Sequence, residues 1–149
     1  ENELADSYAK LSLLYHALKE NKIKKEYSSK AIAAYESLAR QSELEKKYKS
    51  AAEYLQKAKR CWQMSGDAKS VYEGSKILVR LGQFQDLQGQ LEKDNELRHQ
   101  ADSNYIEAIR LLGKDEKKHS AELAKLYYLH GNILQECSMN LAEAFIAYK

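Results

Sequence analysis

The residue types that most often do chemistry are sparse in this chain. Four histidines stand at 16, 99, 119 and 130, and two cysteines at 61 and 137. Neither set has the spacing of a metal site or of a disulfide framework. Cys137 lies two helical turns beyond His130, but two ligands do not make a zinc site. The acidic pair Asp115-Glu116 falls in a charged loop, where solvated carboxylates are the ordinary outcome. No His-Glu-x-x-His, no Gly-x-Ser-x-Gly and no phosphate-binding loop occurs. Gly82 and Gly89 follow no strand pattern and suit helix ends and crossings. With no nucleophile placed beside a base, the sequence points away from an enzyme, and no cofactor or metal is called for.

The elements that would carry these residues are all helices. The chain has 149 residues, no proline, six glycines and 31% charged residues, a composition that favours long helices. Eleven tyrosines against two phenylalanines suit half-buried faces, since tyrosine joins apolar area to a polar tip. The formal charge of +2 indicates no polyelectrolyte partner. Two unpaired cysteines fit a cytoplasmic or other reducing intracellular compartment. No run is long and apolar enough to insert in a membrane, and no signal peptide is visible. The chain does not open with methionine and stops inside a helical pattern, so a piece of something longer is expected.

Periodicity divides the chain into eight expected helices in four antiparallel hairpins. Residues 3–20 carry Leu4, Tyr8, Leu11, Leu14, Tyr15 and Leu18. Residues 23–40 carry Tyr27, Ala31, Ala34, Tyr35 and Leu38. Ser42 with Glu45 reads as a capping box opening a helix over 43–64, with Leu44, Tyr48, Ala51, Leu55, Ala58 and core residue Trp62 on one face. A helix from Ala68 to Leu81 turns Val71, Ser75, Leu78 and Leu81 inward and ends at Gly82. A short helix around Phe84, Leu87 and Leu91 follows, then 96–112 with Leu97, Ala101, Tyr105, Ala108 and Leu112. The last pair spans Leu123 to Lys149. Its first helix presents Leu123, Leu126, Tyr127, His130, Gly131 and Leu134. The turn is expected near Ser138 to Asn140, with Asn140 and Glu143 capping a helix that carries Leu141, Ala144, Phe145 and Tyr148. Gly131 would face that helix at a close crossing.

Two of these pairs share a pattern. Tyr127, Gly131, Ala144 and Tyr148 echo Gly89, Ala101, Tyr105 and Ala108, with weaker copies at Ala31, Tyr35 and Leu38 and at Ser70, Gly74 and Ile77. The chain resembles the tetratricopeptide repeat on these residues. It departs from that pattern in lacking the closing proline, in steps of 39, 31 and 43 residues from Tyr35 through Gly74 and Tyr105 to Tyr148 against about 34, and in a first pair without its glycine. The resemblance implies a divergent branch with longer helices, similar to soluble NSF-attachment proteins or kinesin light chains. The fold implied is all-α, a right-handed superhelical solenoid of about four hairpins forming a single repeat domain over 1–149. A non-repeating helical bundle is the alternative.

The same resemblance implies a function: a non-catalytic protein–protein interaction scaffold that holds a partner protein or peptide segment on its concave face. In that register Lys125, Tyr128, Asn132 and Gln135 project there from the last pair, with Gln83, Asp86 and Gln90 from the preceding one. Asn132 stands where the family often places an asparagine that bonds a peptide backbone. A solvated helix face is the competing reading of each. The cation set of the chaperone-tail-binding subclass is incomplete. Two alternatives stay open. One is a self-associating homo-oligomer through exposed apolar ends, with Phe145 and Tyr148 as candidates beside Leu4 and Tyr8. The weaker one is RNA binding through Lys22, Lys24, Lys25, Lys46, Lys47 and Lys49; nucleic acid is otherwise not indicated.

Overall fold

Proline-free, alanine- and leucine-rich stretches fold here into fewer and longer helices than the turn signals suggest. The computed structural model describes residues 2–19, 21–65 and 71–147, the side chains of 21 and of 139–147 excepted. The described residues are all-α, with no strand among them. Six helices follow in order: α1 (Asn2–Ala17), α2 (Asn21–Leu44), α3 (Tyr48–Ser65), α4 (Val71–Glu92), α5 (Asn95–Leu112) and α6 (Ser120–Ala147). A short 3-10 turn, Gly113–Asp115, follows α5.

Each helix packs on the next in the chain, and side chains also link alternate helices. Asp6 of α1 pairs with Lys57 of α3 at 3.6 Å, Lys59 of α3 with Glu107 of α5 at 3.9 Å, and Glu43 of α2 with Arg80 of α4 at 3.5 Å. So α1, α3 and α5 neighbour one another on one side, and α2 and α4 on the other. Three apolar clusters fill the space between. Ala5, Tyr35, Ala58, Cys61 and Ile77 join α1 to α4; Ala39, Leu55, Leu81 and Phe84 join α2 to α4. Leu78, Tyr105, Leu112, Leu126 and Ile133 join α4 to α6. Trp62 is half-buried and packs against the first and the last of these, a core role as its face suggests.

Where boundaries differ from expectation, the cause is local. Three helix-closing positions are held by lysines in the left-handed region: Lys19 (φ 60°), Lys46 (φ 59°) and Lys93 (φ 55°). At the second, Lys46 N–H donates to the Glu43 carbonyl and Lys47 N–H to the Ser42 carbonyl. That is the pair of hydrogen bonds of a glycine-type helix stop, made without glycine. Ser42 is therefore buried in the last turn of α2 and caps nothing, and Leu44 is 86% exposed. Gly82 ends no helix. It sits inside α4 because Tyr105 and the Ala101 carbonyl press on it, a Cβ there falling 2.6 Å from the tyrosine ring. Helix α6 likewise runs through Ser138 and Asn140 without a turn. The expected last hairpin is thus one helix, and no helix starts at Asn140. Gly131 is exposed with open space around it. The buried face of α6 is Leu123, Leu126, Ile133 and Cys137, while Tyr127 and Leu134 are 58% and 50% exposed.

Helix α1 is turned as well. Its packed face carries Ala5 and Ser12, and the Ser12 and Ser28 hydroxyls meet at 2.5 Å. Small residues let α1 and α2 approach closely, so Leu4, Leu14 and Leu18 point outward, each more than half exposed.

Candidate functional site

A polar cluster ties the last three helices together and sets their spacing. Arg98 on α5 is buried, its side chain 6% exposed. Its Nε donates to Asp86 Oδ1 on α4 at 2.8 Å, and its Nη2 donates to Glu136 on α6. Burial works against the guanidinium charge, but bonds from both carboxylates more than offset it, and its pKa stands above the ordinary value. One turn along, Asp102 on α5 meets His130 Nδ1 on α6 at 2.5 Å. Tyr105 lies beneath Gly82, fully buried, its hydroxyl without a hydrogen-bond partner among the described residues. Burial, then the charges of Asp86 and Asp102, push its pKa up.

This clamp ties α4 and α6 through α5, and between them lies a groove that Leu112, at the end of α5, also lines. The groove encloses about 260 Å³. Val79, Leu112 and Leu126 supply an apolar floor; Lys76, Arg80, Gln83, Glu122 and Lys125 form a polar rim. Two of the rim cations are engaged within the protein, Lys76 over the Tyr72 ring at 4.3 Å and Arg80 with Glu43. Lys125 is exposed and makes no ion pair among the described residues.

Of the seven residues expected on a binding face, the groove brings together Gln83 and Lys125. Tyr128 and Gln135 are exposed elsewhere on α6, and Asn132 is half-buried. Asp86 and Gln90 are engaged with each other, Gln90 Nε2 donating to Asp86 Oδ2 at 3.1 Å while Asp86 also holds Arg98. Of the self-association candidates, Tyr148 lies outside the described residues, and so does the side chain of Phe145. The expectation missed Tyr72, Lys76, Val79 and Arg80. Their helical spacing with Gln83 was present in the sequence, but a break at Gly82 divided it.

The remaining chemistry-bearing residues are dispersed. His16 Nδ1 lies 3.4 Å from Lys24 Nζ, and His119 stacks on Tyr72. No group of three or more potential metal ligands occurs among the described residues. Cys61 and Cys137 are free and buried, and burial pushes the Cys61 thiol up. The six lysines of the basic stretch split between the two ends of α2, about 35 Å apart at 1.5 Å per residue, and Lys24 is itself buried. They do not make one patch. None of the described helices is long and apolar enough to cross a membrane. No protein-family model matches the chain, and no curated protein is significantly similar to it.

Proposed function

We propose that the chain is a non-catalytic scaffold segment, a tetratricopeptide-like helical array that holds a segment of another protein between α4 and α6. The observation that carries this is the groove itself: an apolar floor with a rim of donors and acceptors, spaced by the Arg98 clamp. A side chain laid on Val79 and Leu126 leaves water, and the rim amide of Gln83 and the free cation of Lys125 fix its orientation. Packing of each helix on the next, with cross-links between alternate helices, supports a quasi-one-dimensional stack. Gln83 and Lys125 are the residues assigned to contact; Tyr128, Asn132 and Gln135 extend the same helix beyond the groove.

A second reading has its own observation. Helix α1 and the turn after it present Leu4, Leu13, Leu14 and Leu18, and α6 presents Tyr127, Tyr128 and Leu134, all at least half exposed. Such apolar ends support self-association. Light scattering separates the two readings. A molar mass that stays at 17.1 kDa over about a tenfold concentration range favours the groove as the functional surface. A mass that doubles, and returns to monomer on Leu14→Glu, favours the dimer.

A further inference from the structure

A second groove lies on the other side of α4, between α3 and α5, and encloses about 380 Å³. Its chemistry differs from the first. Four glutamines line it, Gln56, Gln85, Gln88 and Gln100, and its charged lining is Lys49 with Glu53 and Glu92, slightly acidic.

Gln85 is 9% exposed, and its orientation is dictated from behind. The Lys59 ammonium can only donate, and it donates to Asn104 Oδ1 at 2.8 Å. That turns Asn104 Nδ2 toward Gln85, where it donates to Oε1 at 2.6 Å. Flipping Gln85 would set two NH2 groups against each other. The relay from Lys59 through Asn104 therefore leaves Gln85 with its Nε2 hydrogens and no acceptor among the described residues. Nε2 is not among the enclosed, unpartnered atoms, and Gln85 lines the groove, so those hydrogens reach it. One turn on, Gln88 Nε2 donates to Glu92, which leaves Gln88 Oε1 as an acceptor. The groove thus presents a fixed donor and a neighbouring acceptor.

We propose that this groove binds an extended polypeptide segment through its backbone, with a peptide carbonyl accepting from Gln85 Nε2 and a peptide N–H donating to Gln88 Oε1. A peptide backbone is the ligand that offers acceptor and donor in alternation, and Gln56 and Gln100 add two more side-chain amides to the lining. Glu53 and Glu92 disfavour a carboxylate in the acceptor's place. Ala52 and Leu97 give an apolar ledge for a side chain, and the volume falls within the range of about 300–1,000 Å³ common to binding clefts. No residue is shared with the α4–α6 groove, so either site stands if the other fails.

The test is titration of the isotope-labelled chain with an acetylated, amidated hexapeptide of alternating Ala and Ser, followed through the glutamine side-chain amide resonances. Sodium acetate serves as the carboxylate probe. The Gln85 amide shifts saturably with the peptide and not with acetate. Gln85→Glu keeps the oxygen that accepts from Asn104 and removes the donor, so peptide affinity falls about fivefold or more, the worth of one hydrogen bond. Gln100→Ala, on the exposed rim, falls about twofold and leaves the core untouched. The proposal is overturned if the peptide gives no saturable shift at Gln85, if acetate shifts it more, or if Gln85→Glu binds equally with its helical signal intact. Should Gln85→Glu lose its fold, unchanged affinity in Gln100→Ala overturns it.

Discussion

The same substitution at two glycines should have opposite signs. In the interior of an exposed helix, Gly→Ala stabilises by about 0.5–1 kcal/mol, because alanine has less backbone entropy to lose. Gly131 meets that condition, with nothing within 4 Å of a Cβ built there. Gly74 does not. A Cβ on it falls 2.0 Å from Trp62 Cε2 and 2.1 Å from Cζ2, whereas carbon atoms in contact stand about 3.5–4.0 Å apart. The indole must move by about 1.5 Å or more, and it is wedged between the apolar clusters on either side. Overpacking of that kind costs up to about 3 kcal/mol; less the propensity gain, Gly74→Ala is destabilised by about 2 kcal/mol. With a slope of about 2 kcal/mol per molar urea, its midpoint falls by about 1 M, and that of Gly131→Ala rises by a few tenths. Far-UV circular dichroism reads both. Trp62 is the sole tryptophan, so its emission also shifts in Gly74→Ala and stays put in Gly131→Ala. A Gly74→Ala protein as stable as the parent with unchanged emission, or a destabilised Gly131→Ala, would refute the packing described.

Arg98→Met leaves Asp86 facing the interior without its cation, and unfolding by urea should show a loss of about 3 kcal/mol; an unchanged midpoint would mean the clamp does not set the α4–α6 spacing. Asp6 is a carboxylate whose pKa is lowered, first by the Tyr35 hydroxyl at 2.5 Å and then, against the effect of burial, by Lys57. A folded-state value below the unfolded one adds stability above the unfolded pKa, and that stability is lost as pH falls through the folded pKa. Tyr35→Phe should therefore move the Asp6 carbonyl titration, followed by NMR, back toward the ordinary aspartate value. It should also flatten the acid limb of stability; an Asp6 titration that does not move assigns the shift to Lys57 alone.

Much of the fold is legible in the sequence where apolar spacing and punctuation agree. Helix α5 is the clearest case: Leu97, Ala101, Tyr105, Ala108 and Leu112 mark its buried side, and Asp94 Oδ1 accepts from the Glu96 and Leu97 N–H groups at its start. Ala51, Leu55 and Ala58 mark α3 equally well. Misplaced elements trace to glycines and lysines that do the reverse of their usual work. Gly82 looks like a stop but is a close approach within α4, as Gly89 is at the crossing expected of it, while the stops are lysines whose left-handed conformation leaves no trace in composition. In α1 and α6 the larger apolar residues were assigned inward. Close contact through Ser12 and Ser28 turned one helix, and the Asp102–His130 and Arg98–Glu136 pairs fixed the rotation of the other. Such contacts join residues far apart in the chain and cannot be read from period alone. The same holds for the grooves. Gln83 and Lys125 could be proposed from helical spacing, but the orientation of Gln85 depends on Lys59 and Asn104, on the helices before and after its own.

The most direct measurement is calorimetric titration of the chain with a peptide selected against it from a random display library, repeated on Gln83→Ala and Lys125→Ala. If the α4–α6 groove holds the partner segment, a peptide binds saturably to the parent and each variant weakens it by about fivefold. No saturable binding, or a peptide bound equally well by both variants, would contradict the account.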